Sequence, residues 1–195
     1  MTTESGTTEA RDTVPAEPPR RFPVVAVALL GLGIAGLLYS VVLEGQRPRP
    51  AGQGHAAPDF RLEKFGGGEV RLADLRGKTV MLDFWATWCG PCIAEMPTLL
   101  KLAAEYEAKG VVFLAANRDD PDTARALVGL YIDGRVPALA RYAAFADDST
   151  ADAYAVSAIP TTYLIGPGGE IRGSWRGAAS ERTWRSRLDE ALLAN

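Results

Sequence analysis

The sequence predicts an α/β domain: a central mixed β-sheet flanked by helices, preceded by an apolar segment long enough to cross a membrane. Three observations carry that prediction. Two apolar, β-rich runs, TVMLDFW (Thr79–Trp85) and VVFLAAN (Val111–Asn117), bracket a stretch with helical spacing. A third such run, TTYLI (Thr161–Ile165), is followed by Gly-Pro-Gly-Gly and a returning strand. Residues 22–43, FPVVAVALLGLGIAGLLYSVVL, contain no charged side chain.

The ends of the chain differ from its middle. Residues 1–21 are rich in Thr, Glu, Pro and Arg with few large apolar groups, the composition of a disordered tail. As a helix, the 22 residues of the next segment reach roughly 33 Å, against a bilayer core of about 30 Å. A cleaved signal peptide is the alternative. The run is longer than the apolar region of most signals, and no A-x-A site follows Leu43, which favours an uncleaved anchor. Arg11, Arg20 and Arg21 before the run, against Arg47 and Arg49 after it, give a slight preference for a cytoplasmic N-terminus. Residues 44–56 are rich in Pro, Gly and Ala and read as a tether, with His55 as an exposed linker residue. The domain is expected over residues 57–195.

Within it, Phe60–Leu62 and Val70–Leu72 flank Gly66-Gly67-Gly68, a hairpin signature. No P-loop lysine and Ser/Thr follow the glycines, so the turn reading is preferred to a phosphate cradle. After Thr79–Trp85, residues Ile93, Met96, Leu100 and Ala103 trace a helix that Gly110 would end. Pro97 is expected to interrupt it. Pro121 opens a second helix through about Ile132, with Gly134 just beyond. Strand, helix, strand implies a right-handed crossover between parallel strands. Tyr142–Ala146 reads as a short strand and Ser149–Tyr154 as a short helix. Glu170–Trp175 returns antiparallel to Thr161–Ile165. Ser180 is a plausible N-cap for a last helix to Leu193, with Trp184, Leu188 and Leu192 on one face.

The net charge of −3 and the scattered Lys and Arg leave no electrostatic footprint for nucleic acid. Two cysteines and one histidine are too few for a structural zinc site, and two neighbouring cysteines cannot staple a scaffold. No flavin or nicotinamide motif is present, so neither cofactor nor metal is expected.

The chemistry concentrates at Trp88-Cys89-Gly90-Pro91-Cys92. Cys89 falls where a strand gives way to a helix. The first N–H groups of that helix lack intrahelical partners and carry partial positive charge. A thiolate there is stabilised, which lowers its pKa below the free value of about 8.5. Gly90 lets a substrate backbone approach, and Pro91 suits a first turn that needs no N–H. Cys92, one turn on, is expected to be the shielded partner of an exposed Cys89. Cys89 would attack a substrate disulfide, and Cys92 would resolve the mixed disulfide. Two incidental core cysteines are the bland alternative.

Two acids accompany the pair. Asp83 lies inside Met81-Leu82-Asp83-Phe84-Trp85, where burial would raise its pKa and let it exchange a proton with Cys92. Strand alternation could instead turn it to solvent. Glu95, three residues after Cys92, either tunes the thiols or only complements the helix dipole.

TWCGPC after VMLDFWA resembles the thioredoxin superfamily. More narrowly, Ala57-Pro58-Asp59-Phe60, the following hairpin, WCGPCIAEMP and YAVSAIPTTYLI resemble the membrane-tethered, extracytoplasmic TlpA/ResA-like thiol–disulfide oxidoreductases. The similarity covers roughly residues 56–193. It implies a thioredoxin-like fold with an N-terminal β-hairpin extension and an N-terminal transmembrane helix. It also implies a cis-proline at Pro160 that presents the Ile159 backbone to a substrate strand. Trp88, Gly90, Pro91, Ile159 and Pro160 are thus the expected substrate-contacting residues, and Cys89, Cys92, Asp83 and Glu95 the catalytic ones. An acid at the Glu95 position tunes the thiols in ResA-like proteins, and a buried acid occupies the Asp83 position in thioredoxins. Residues 134–148 fit the pattern poorly, and Arg135–Arg141 reads as a local insertion.

The expected function is reduction of protein disulfides by a single-pass protein of the bacterial inner membrane, its catalytic domain in the periplasm or cell exterior. By resemblance its substrates are an apocytochrome c or an oxidase assembly factor, and its electrons come from a membrane thiol donor. Two rivals are a peroxide-reducing, peroxiredoxin-like enzyme and a non-enzymatic copper-binding assembly factor. The P-x-x-x-T-x-x-C setting of the first is absent, and the cysteine spacing differs from that of copper chaperones of this fold.

Overall fold

The computed structural model of the chain describes residues 52–193 and, ahead of them, helical residues between Ala28 and Gly36. The chain divides into two units, Met1–Arg47 and Pro48–Asn195. In the first, the described helical residues leave Leu29, Leu32 and Ile34 exposed. Among the described residues no helix is long and apolar enough to cross a membrane. The 1–21 tail, much of the 22–43 segment and the tether up to residue 51 lie outside the described residues.

The second unit is built on one seven-stranded sheet. Its strands are β1 (Arg61–Lys64), β2 (Glu69–Arg71), β3 (Thr79–Trp85), β4 (Val111–Asn117), β5 (Ala143–Phe145), β6 (Thr161–Ile165) and β7 (Ile171–Arg176). Their order across the sheet is β2-β1-β5-β4-β3-β6-β7. β3 pairs parallel with β4, and β4 with β5, while β6 and β7 run antiparallel beside β3. The helices are α1 (Gly90–Glu107), α2 (Pro121–Arg135), α3 (Asp148–Ala153) and α4 (Glu181–Leu193). The sheet is therefore mixed and flanked by helices, as the apolar runs and turn residues predict.

Local chemistry sets each boundary. Gly67 and Gly68 take φ of 90° and 74° between β1 and β2, a conformation open to glycine and strained for L side chains. The turn closes with Lys64 N–H on the Gly68 carbonyl and Gly67 N–H on the Lys64 carbonyl. Asp120 caps α2 by accepting from the Asp122 N–H, Asp147 caps α3 through Thr150, and Ser180 caps α4 through Thr183. The interruption expected at Pro97 does not occur: α1 runs on through it to Glu107. Pro97 is exposed, on the face where water can serve the carbonyl that its missing N–H leaves without a helical partner.

Two boundaries differ from expectation. α2 passes through Gly134 to Arg135 and stops at Val136. Pro137 sets this stop, because a residue before proline is excluded from the helical region, and Val136 has φ −143° and ψ 68°. The expected tether also joins the domain early. Gly54 N–H donates to the Ile171 carbonyl, Ile171 N–H to the His55 carbonyl, and Ala56 bridges Glu170. His55 is exposed.

The faces of β3 sort the core. Met81 and Trp85 join a cluster with Cys89, Cys92, Met96 and Leu99 of the α1 region and Trp184 and Leu188 of α4. Val80, Leu82 and Phe84 join the opposite cluster with Leu62, Tyr154 and Tyr163. By this alternation Asp83 faces the α1 side. The stretch after α2, read as an insertion, forms a 3-10 turn over Pro137–Arg141 that buries Leu139 completely in the α1-side core.

Leu139→Ala is accordingly expected to cost about 2–5 kcal/mol, the range for truncating a buried leucine. Urea denaturation measures it. A loss near zero would mean that the turn only decorates the surface.

Candidate active site

The link between β3 and α1 is short and held at both ends. Trp85 ends β3 opposite Asn117, the last residue of β4. The chain then turns, with Cys89 N–H donating to the Ala86 carbonyl. Cys89 is the N-cap of α1, with extended φ −84° and ψ 98°, and its Sγ accepts from the Cys92 N–H at 3.3 Å. Pro91 occupies the first turn, where its missing N–H is not needed. Cys89 and Cys92 are joined by a disulfide.

The exposure pattern corrects one expectation. Cys89 is 5% exposed and Cys92 2%, so in the disulfide state the first sulfur is not open while the second is hidden. Both sit in the α1-side core, and the exposed rim around them is Trp88, Gly90 and Pro91. Trp88 is 70% exposed, an unusual position for so large an apolar surface.

Ile159–Pro160 is cis, as the family resemblance implies. Pro160 is buried, and half-buried Ile159 packs against the core that contains the two cysteines. The Thr161 hydroxyl donates to the Ala158 carbonyl at 2.6 Å, and Gly177 N–H donates to the Pro160 carbonyl at 2.8 Å. These bonds hold the segment that leads into β6.

Asp83 is 1% exposed, which excludes the solvent-facing alternative. Its Oδ1 accepts from the Thr162 hydroxyl at 2.8 Å. Burial pushes its pKa up to about 7; the Thr162 hydrogen bond opposes the rise and the Glu95 charge adds to it.

Glu95 is also buried, and it does not act within its own helix. One carboxylate oxygen, Oε1, accepts from the Ala179 N–H at 2.7 Å and from the Trp184 indole N–H. Both donors come from the C-terminal end of the chain, so Glu95 ties α1 to α4 rather than complementing the first turn of α1. Its Oε2 is buried with no hydrogen-bond partner among the described residues. Beyond Trp184, the Arg187 guanidinium lies 4.4 Å from the Trp175 ring centre and 4.5 Å from that of Trp184. Burial lowers the Arg187 pKa, against the pull of Glu95 and Glu190.

Sequence reasoning missed two members of this arrangement. Asp119 accepts from the Thr87 N–H at 3.1 Å, from the Thr87 hydroxyl at 3.0 Å and from the Asn117 amide at 2.8 Å. It pins the loop entering Cys89 to the end of β4. The signal was available: β3 and β4 are parallel neighbours, so polar residues just past β4 meet residues just past Trp85. Trp184, read only as an apolar helix residue, is the second.

The AhpC/TSA family profile matches residues 53–174. The chain is 42% identical over 129 residues to a thiol-disulfide oxidoreductase ResA of Oceanobacillus iheyensis, covering 64% of this chain and 65% of that one. It is 35% identical to a ResA of Geobacillus kaustophilus over 76% of this chain and 84% of that one. Among solved structures, the exposed lipoprotein thioredoxin of Streptococcus pneumoniae superposes with a TM-score of 0.58 at 25% identity, over 68% of this chain and 99% of that one.

Asp83 has a consequence for stability. An acid whose folded pKa lies above its unfolded value near 3.8 destabilises the fold as pH rises between the two, because the unfolded chain ionises first. Asp83→Asn is therefore expected to match the parent near pH 4 and to exceed it by a few kcal/mol at pH 8. Urea midpoints of the disulfide form against pH measure this. Parallel curves for the two proteins would contradict the buried acid.

Proposed function

The chain belongs to the thioredoxin-like AhpC/TSA family and is a thiol–disulfide oxidoreductase; on that premise we propose that it reduces disulfides of other proteins outside the cytoplasm. The observation that carries this reading is a disulfide between the N-cap of α1 and the next turn, beneath an exposed Trp88 rim. A disulfide there borders the solvent-exposed Trp88, Gly90 and Pro91, a surface on which another protein can dock.

In the reduced form, the Cys89 thiolate attacks one sulfur of a substrate disulfide. A Cys89–substrate bond forms, the substrate S–S bond breaks, and one substrate thiolate leaves. Ionised Asp83 takes the Cys92 proton. The Cys92 thiolate then attacks Cys89 Sγ, forming the disulfide seen here and releasing the second substrate thiolate, which takes a proton. Two electrons pass from the cysteine pair to the substrate. A membrane thiol donor restores the dithiol by the reverse exchange. What supports Asp83 as proton carrier is its burial on the α1 side of β3 and a pKa pushed up to about 7. Trp88, Gly90, Pro91 and the Ile159–Pro160 segment receive the substrate backbone. Glu95, tied to α4, acts on the exchange through its charge on Asp83.

Residues 22–43 anchor the protein in the inner membrane, with the domain in the periplasm or cell exterior. Its targets are proteins of cytochrome c maturation or oxidase assembly, in keeping with the resemblance to TlpA/ResA-like proteins. The two relatives above carry the name of a thiol-disulfide oxidoreductase, which favours exchange over the peroxide and copper readings.

Cys89→Ser is expected to abolish insulin disulfide reduction with dithiothreitol as donor. Cys92→Ser is expected to accumulate mixed disulfides that run as reducible adducts on gels. Turnover by the first variant, or no adduct with the second, would overturn these roles.

A further inference from the structure

The strand register around Asp83 singles out one more residue. On β4 its partner is Ala115, and on β6 it is Thr162. β6 alternates as β3 does. Leu164 belongs to the α1-side core, and Tyr163 and Ile165 to the opposite one, so Thr162 shares the α1 side with Asp83. Thr162 is buried, and its hydroxyl donates to Asp83 Oδ1. Ala115 has no polar side chain, so Thr162 is the polar contact from the two flanking strands. From α1, Glu95 acts on Asp83 through its negative charge, and Cys92 is the titratable group of the reduced site in the same core. From α4, Arg187 acts on Glu95.

Building on the proton-carrier reading of Asp83, we propose that Thr162 is a positioning residue for thiol–disulfide exchange, its hydroxyl holding the Asp83 carboxylate in the charged form that accepts the Cys92 proton. A carboxylate only accepts hydrogen bonds, so a hydroxyl donor stabilises it more than the neutral acid. The effect is large where water does not compete. Glu95 pushes the same carboxyl towards its neutral form. Burial raises the Asp83 pKa most; Thr162 and Glu95 act on it in opposite directions and adjust where on the pH scale Asp83 can take a proton. β6 begins one residue past Pro160, so the strand that orients the acid also continues from the segment assigned to substrate.

The test compares parent, Thr162→Val, Thr162→Ser and Asp83→Asn as full-length reduced proteins. Two quantities are followed against pH: the rate of insulin reduction, and the ionisation of 13C-labelled aspartate carboxyls. Removal of the hydroxyl is expected to move both midpoints to higher pH by about one unit, a tenfold change in proton affinity. Thr162→Ser, which keeps the donor, stays near the parent. If the valine protein does not fold, Thr162→Ala replaces it. Unmoved midpoints in the hydroxyl-free variant overturn the inference; a displaced Asp83→Asn profile in the same series would leave the proton carrier standing. An Asp83→Asn profile identical to the parent removes the carrier and the inference with it. A carboxyl midpoint that moves without the rate also overturns it.

Discussion

Everything at this site depends on a sulfur serving as the N-cap of a helix. The first turn of α1 must find acceptors for N–H groups that have no partner in the helix. In most proteins a Ser, Thr, Asp or Asn side chain supplies one. Here Cys89 Sγ accepts from the Cys92 N–H, so the atom that completes the helix is also the one that the proposed mechanism makes the nucleophile. Pro91 removes one competing donor, and the Asp119 clamp on Thr87 keeps the approach to the cap from wandering. The bond to Cys92 follows from the same geometry, since residues three apart in a first turn lie on one side of it.

The second constraint is a carboxyl group where the core would otherwise be apolar. Val80, Met81, Leu82, Phe84 and Trp85 all bury apolar side chains around Asp83. A buried acid without an ion-pair partner raises its pKa rather than bear its charge. That cost to the fold falls on the α1 side of β3, the side that also holds Cys92, where the proposed mechanism uses a group that gains and loses a proton near neutrality. The nearby Glu95 is held differently, by donors from the C-terminal end, so the two acids that look alike in the sequence have different surroundings.

Legibility followed the range of the interactions involved. β3 and β4 have the bounds read from TVMLDFW and VVFLAAN, because both strands are buried along nearly their full length and their composition says so. The caps at Ser180 and Cys89 were readable because a cap and its partner lie within three residues. The end of α2 was misread at Gly134 because a glycine is a weaker stop than the proline three residues later. The partners of Glu95 lie 84 and 89 residues away, and no local pattern indicates which acid meets which indole. Asp119 was within reach of the parallel pairing, but only by reading past the end of β4. The exposure of Cys89 was inferred from its chemistry, whereas packing of the disulfide against the core decides it.

The central claim is that the start of α1 holds Cys89 as a thiolate once the disulfide is opened. The rate of Cys89 alkylation by iodoacetamide, followed against pH in the reduced protein with the modified residue identified by mass spectrometry, tests it most directly. The account predicts a midpoint clearly below the free thiol value of about 8.5. A midpoint at or above that value would contradict it.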